Sequence, residues 1–210
     1  MDINRIPFYQ YNTIIVGTGA AGLNAAVTLH KLGQKNIALI TEGRYMGTSR
    51  NTGSDKQTYY KLTQCGSEPD SVRKMAETLF DGGCVDGDIA MAEAAGSLRA
   101  FYHLVDIGVP FPFNKSGEYV GYKTDHDPLK RGISAGPLTS KYMTECLERQ
   151  AEERGIPFFD GYQAVRLLTE EKNGEKWAAG IIALNKRKAA SADERYAVFS
   201  AVNIIWATGG

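Results

Sequence analysis

Three glycines at fixed spacing, one acid and one closing turn carry the chemistry legible in this chain. Ile14-Ile15-Val16-Gly17-Thr18-Gly19-Ala20-Ala21-Gly22 sets a G-x-G-x-x-G pattern behind a β-branched run, and Glu42 follows a second apolar run. A pyrophosphate needs backbone N–H donors and a helix N-terminus aimed at it. Gly17 gives the tight turn out of a strand, Gly19 lets phosphates approach the backbone, and Gly22 lets the helix lie close to the strand. Glu42 can accept hydrogen bonds from ribose hydroxyls, and its charge argues against a 2′-phosphate. The chain closes on a second candidate piece of the same site, Ile204-Ile205-Trp206-Ala207-Thr208-Gly209-Gly210. Together these residues point to dinucleotide binding.

The elements that must hold them follow from periodicity. Thr13 to Val16 is a short apolar run, as in a strand buried in a parallel sheet. Gly22, Ala25, Ala26, Leu29 and Leu32 recur at helical steps, and Gly33 is placed to end the helix. Ile37 to Ile40 is a second buried strand, so residues 12–42 read as a βαβ unit. Arg44 to Lys61 is a long polar stretch of the kind that carries function. Pro69 to Phe80 and Asp88 to Ile107 are predicted helices, capped by Asp70 or Ser71 and by Asp86 or Asp88; Gly108 ends the second. Tyr119 to Gly136 reads as irregular. Pro137 to Arg154 is an amphipathic helix with Leu138, Tyr142, Cys146 and Leu147 on one face. Ile156 to Phe159 is a strand. Gln163 to Thr169, Trp177 to Asn185 and Tyr196 to Ser200 form an antiparallel meander spanning about 162–201. Asn203 to Trp206 is a buried closing strand.

Composition removes other classes. The 210 residues hold 24 basic and 24 acidic side chains, so no basic field draws nucleic acid or anionic lipid. Lys186-Arg187-Lys188 is expected at a solvated hairpin tip. Cys65, Cys84 and Cys146 form no metal-ligand spacing and read as reduced thiols of a cytoplasmic protein. Residues 1–7 have no long apolar run and are not a signal peptide. No stretch approaches the ~20 apolar residues of a membrane span. His126, between Asp125 and Asp127, could contact a substrate or cofactor, but a surface or structural role is the stronger expectation; His30 and His103 are helix residues. Asp86-Gly87-Asp88 lacks the remaining ligands of a calcium loop, so no metal site is expected. No nucleophile elbow is present.

The opening GTGAAGLNAA, the Glu42-Gly43 pair, the polar loop, the meander and the closing IIWATGG resemble the flavoprotein subunits of the fumarate reductase, succinate dehydrogenase and L-aspartate oxidase superfamily. Tyr102-His103-Leu104-Val105-Asp106-Ile107-Gly108-Val109-Pro110-Phe111 is similar to that family's W-L-x-x-x-G-V-x-F segment. Gly136 to Gly161 is similar to its helix and strand leading to F-F-x-G. The resemblance implies an α/β, Rossmann-type FAD-binding domain with a parallel sheet and an inserted antiparallel β-meander, the helical segment lying at 69–155. It implies that Gly17, Gly19, Ala20, Ala21 and Gly22 hold the FAD pyrophosphate. Glu42, with Gly43 and Arg44 beside it, would hold the adenosine ribose. It also implies that Thr48, Ser49, Asn51, Thr52, Gly53 and Ser54 wrap the ribityl chain and flavin. The Ala164 backbone would read adenine, and Ala207, Thr208 and Gly209 would close over the cofactor.

Departures from the family pattern qualify the chemistry. Respiratory members carry a Ser-His pair whose His bonds covalently to FAD; Ser49-Arg50 stands here, which predicts non-covalent FAD. The family's Ala-Gly-Gly or Gln-Gly-Gly is replaced by the more polar stretch from Asn51 to Gln57. Arg50 and Lys56 could stabilise negative charge on reduced flavin. The capping domain, with the Arg and His residues that act on a dicarboxylate, is expected beyond residue 210, so no catalytic residue is named. The resemblance implies an FAD-dependent oxidoreductase acting on a small molecule such as a dicarboxylate, exchanging electrons with a partner protein. An NAD-dependent dehydrogenase, or a non-catalytic nucleotide-binding module that needs a partner, stays open on the residues alone.

Overall fold

The computed structural model describes residues 6–55, 57–187 and 195–209; residues 1–5, Lys56, residues 188–194 (Lys188 among them) and Gly210 lie outside it. In chain order the elements are β1 (Phe8–Val16), α1 (Ala20–Lys31), β2 (Ile37–Thr41), α2 (Thr48–Asn51), β3 (Tyr59–Tyr60), α3 (Val72–Asp81), α4 (Gly87–Asp106), β4 (Gly132–Ile133), α5 (Thr139–Glu153), β5 (Phe158–Asp160), β6 (Tyr162–Lys172), β7 (Glu175–Asn185) and β8 (Tyr196–Trp206). They form two compact units, Met1–Asn51 with Leu147–Gly210, and Thr52–Cys146.

The first unit is built on a six-stranded sheet in the order β5-β2-β1-β8-β7-β6. The pairs β5–β2, β2–β1 and β1–β8 are parallel, and β8–β7 and β7–β6 are antiparallel. All five residues of β2 are buried, which is why it reads as an unbroken apolar run rather than an alternation. Ile14, Val16, Ile40, Ile181, Ala183, Ala197 and Phe199 form the core on one face of the sheet. Phe159 and Phe199 meet edge to face at 4.7 Å within it. In α1 the buried residues are Gly22, Leu23, Ala26 and Val27, whereas Leu32 is 78% exposed at the C-cap. The packed stripe is therefore rotated from the expected one, because the small residues Gly22 and Ala26 let the helix approach with Leu23 and Val27 beside them.

Two expectations change in β1 and β8. Strand β1 begins at Phe8, not Thr13, because Phe8 to Tyr11 pair with Val198 to Ala201. The third meander strand and the closing strand are one strand, β8, which pairs with both β1 and β7. The meander is thus a continuation of the parallel sheet. The closing segment is also not a buried strand: Trp206 is 52% exposed and Asn203 is exposed. The cause is pairing. Among the described residues, β7 pairs with β8 from Tyr196 to Ser200, and from Asn203 to Trp206 only β1 runs alongside.

In the second unit, α3 and α4 pack through Met75, Ala76, Ala90 and Ala94 with Leu62. Ser71 caps α3, accepting from Lys74 N at 3.2 Å, and Asp86 caps α4, accepting from Asp88 N and Ile89 N. Asp70 does not cap: its carboxylate takes Arg131 Nε at 2.9 Å and Nη2 at 2.7 Å. The stretch from Tyr119 to Gly136 is not wholly irregular, since β4 pairs with β3 and Gly132 also bridges Tyr122. Leu138 is 39% exposed, so the buried face of α5 starts from Thr139 and continues through Thr144, Cys146 and Leu147. No helix among the described residues is long and apolar enough to cross a membrane.

Candidate functional site: a glycine-floored cleft at the strand ends

The parallel strands β1, β2 and β8 all end at one cleft of about 620 Å³ in the first unit. Ligands of open α/β sheets bind outside the carboxyl ends of the strands. The chain leaves β1 through Gly17, whose φ is +109° and whose missing Cβ would stand 2.2 Å from Ala207 O. Ala207 N donates to Val16 O at 2.8 Å, so the two ends of the site are tied backbone to backbone. Gly22 serves the other side of the turn, where a Cβ would lie 2.1 Å from Gly17 O. Side chains cannot be tolerated at either position, because backbone carbonyls already occupy the space.

Helix α1 starts at this turn. Its N-cap, Gly19, offers no side-chain cap, and the first turn holds no acidic residue. Ala20 N donates to Ser49 Oγ at 3.3 Å, a long bond. A helix N-terminus with neither a strong cap nor an acid suits an anion, whose charge the helix dipole favours. Thr18 and Thr41, both buried, share a hydroxyl hydrogen bond of 3.0 Å that fixes the end of β2 to the turn. Glu42 follows at the rim, where Lys186 Nζ donates to its Oε1.

The structure brings most of the sequence candidates together. Gly17, Gly19, Ala20 and Ala21 line the cleft floor; Glu42, Gly43, Thr48 and Ser49 line one side; Ala164, Ala207, Thr208 and Gly209 line the rest. Gly22 lies behind the floor and acts by permitting close packing. Arg44 does not line the cleft. Its Nε donates to Glu148 Oε1 at 2.5 Å, Nη2 bonds Glu152, and the guanidinium stacks 4.1 Å over the Phe158 ring. Arg50 also bonds Glu148, from the other side. Glu148 thus fastens both ends of the 44–50 loop to α5, and the Arg50 guanidinium is committed there. Asn51 donates from Nδ2 to Tyr45 O at 2.9 Å and Gly47 O at 3.1 Å, holding the loop's shape. Thr52, Gly53 and Ser54 open the second unit, where Ser54 N donates to Pro137 O at 3.0 Å. Lys56 lies outside the described residues.

Some lining residues escaped the sequence. Tyr162, Gln163 and Trp206 flank Ala164 and Ala207, and Met46 packs against Gly43. Adjacency to motif residues was the available signal, but which neighbours face the cleft is a matter of strand pleat and turn. His126 is exposed, as expected for a surface residue. The cysteines are free, with Cys146 buried and Cys84 exposed, and no metal-binding group of His, Cys, Asp and Glu occurs among the described residues. Lys186 and Arg187 are not simply solvated at a hairpin tip: each is ion-paired, with Glu42 and Asp160.

Comparison with known proteins agrees with this geometry. The chain is 28% identical to L-aspartate oxidase of Pseudomonas aeruginosa over 96% of its length and 38% of that protein. It is 28% identical to the mitochondrial succinate dehydrogenase flavoprotein subunit of Oryza sativa subsp. japonica, covering 96% of this chain and 32% of the relative. Among solved structures, the E. coli quinol fumarate reductase FrdA superposes with a TM-score of 0.79 at 20% identity, over 98% of this chain and 33% of that one. The chain therefore spans about a third of the length of the curated relatives it matches. The family model described as the FAD binding domain matches residues 12–210, and the chain belongs to that family, with FAD as its cofactor.

Proposed function

We propose that this chain supplies the FAD-binding part of an oxidoreductase that acts at a C–C bond beside a carboxylate, with FAD held non-covalently. The observation that carries it is the floor of the cleft. Gly17 and Gly22 have no room for a side chain, and they bring backbone donors to the start of a helix whose N-cap glycine supplies no side-chain cap. The pyrophosphate would lie on Gly19, Ala20 and Ala21, the adenosine ribose against Glu42, and adenine beside the Ala164 backbone. Thr48 and Ser49 would continue along the cofactor, with Ala207, Thr208 and Gly209 over it. For Asn51, Thr52, Gly53 and Ser54 the resemblance alone speaks. Bound FAD supplies two-electron redox chemistry, and the protein orients and electrostatically tunes it.

Non-covalent attachment is supported by Ser49-Arg50 in the loop, where Arg50 is engaged by Glu148. The dicarboxylate substrate and an electron-exchanging partner protein are carried by the relatives, whose names include fumarate reductase and succinate dehydrogenase flavoprotein subunits. A cytoplasmic setting accords with three free cysteines. The test is a visible spectrum of the purified protein followed by acid precipitation. A flavin spectrum that moves wholly to the supernatant is expected. Flavin left in the pellet would overturn non-covalent binding, and no flavin even after adding FAD would overturn the function.

A further inference from the structure

We propose that Lys186 makes the ribose end of the cleft tolerant of a 2′-phosphate, so that the site takes adenine nucleotides with that group as well as without it. The proposal rests on the assignment of this cleft to the ADP half of a dinucleotide. From its charge alone, Glu42 should repel a 2′-phosphate, since an acid at this position selects for the free hydroxyl. The structure changes the balance by adding a cation to the same spot: Lys186 Nζ donates to Glu42 Oε1. The two residues stand 144 positions apart in sequence, and the sheet brings them together at the ends of β2 and β7.

Lys186 is placed rather than merely near. Its N–H donates to Gly161 O at 2.8 Å, and Arg187 N donates to Asn185 Oδ1 at 3.0 Å. The Arg187 side chain is drawn away to Asp160, which also accepts Arg44 N at 2.9 Å. With the turn after β7 held at these points, Lys186 is left directed toward Glu42 while its neighbour is occupied elsewhere. The pair is also able to open. The Glu42 and Lys186 side chains are 39% and 47% exposed, and ion pairs at such exposure are weak enough to exchange partners. A ribose diol can therefore share the Glu42 carboxylate. A 2′-phosphate can instead take the ammonium, which binds phosphate as a point charge.

The test is calorimetric titration of flavin-free protein with ADP-ribose and with its 2′-phosphorylated form. The unaltered protein is expected to bind the two within roughly tenfold of each other. Lys186→Gln should penalise the phosphorylated ligand by roughly a further tenfold and Lys186→Glu by more, whereas Glu42→Gln should shift preference toward it. The differences should narrow at high salt, because the groups are exposed. The proposal fails if Lys186→Gln leaves the ratio at its original value, or if the unaltered protein discriminates by more than about a hundredfold. Binding of ADP-ribose with an unmoved ratio would remove this proposal alone. Absence of binding by either ligand would remove the assignment of the cleft as well.

Discussion

Two regions of this molecule concentrate polar chemistry, and they are built on opposite plans. The cleft of the first unit is floored by backbone: glycines admit carbonyls and N–H groups to within a Cβ's distance, and the charged residues sit at its rim. The centre of the second unit is sealed by side chains. Arg131 is fully buried, with Asp70 gripping its Nε and Nη2, and with Thr78 Oγ1 at 2.8 Å and Tyr60 OH at 3.1 Å accepting from Nη1. Asp127 stands 3.5 Å from the same Nη1. Burial by itself would push the Asp70 carboxyl up, but hydrogen bonds from Arg131 and from the Thr63 and Ser71 N–H groups outweigh it and hold it below the usual range. Both regions could be taken for sites on charge alone. The difference is that one leaves donors facing a cavity, whereas the other directs its donors at its own acceptors.

That contrast can be broken first at the sealed centre. Asp70→Ala removes the carboxylate that grips two nitrogens of the buried Arg131 and leaves only the longer Asp127 contact, which should cost about 3–5 kcal/mol of stability, read as the shift of a urea unfolding midpoint. The same pair sets an acid dependence. The Asp70 carboxyl is lowered in the fold, so its contribution is present above the ordinary carboxylate value of about 3.9 and fades as pH falls through the folded value. An unfolding midpoint in Asp70→Asn that falls with acid as steeply as in the unaltered protein would contradict this.

The cleft is the second place to strike. Gly17→Ala puts a Cβ against Ala207 O at a φ of +109°, so backbone strain and overpacking together should cost about 2–4 kcal/mol. Fluorescence titration should show FAD affinity lowered by more than tenfold, with α1 still formed by circular dichroism. Retained affinity would mean that Ala207 does not close over the turn as described.

The smallest effect has the opposite sign. Lys61 is 1% exposed, with its Nζ 3.4 Å from Leu62 O and 4.9 Å from the Phe101 ring centre. Burial pulls its ammonium below the ordinary lysine range, against a smaller opposing pull from Cys65. Unlike Arg131, it has no carboxylate partner among the described residues. Lys61→Met should therefore stabilise the protein by roughly 1–3 kcal/mol near neutral pH. The unfolded chain holds the proton up to about pH 10.5, so the penalty is full below the folded value and relieved as pH rises toward the unfolded one. The gain from Lys61→Met should shrink over that window, and a melting temperature unchanged or lowered at neutral pH would refute it.

Local signals in the sequence carried the cleft a long way. Gly17, Gly19 and Gly22 are legible because their demand, absence of a side chain at a turn and a helix start, is met within six positions of chain. The caps Ser71 and Asp86 are legible for the same reason, each accepting from an N–H two or three residues on. The buried strands β1 and β2 show as apolar runs. Tertiary structure alone decided the rest. It joined the third meander strand to the closing strand as β8 and left Trp206 open for want of a β7 neighbour. It set Lys186 on Glu42, placed Glu148 between Arg44 and Arg50, and turned Asp70 from a cap into the partner of Arg131, 61 residues away. Such pairings depend on strand register and helix rotation summed over the whole fold, and a charged residue's type and spacing do not say which distant partner the fold will bring to it.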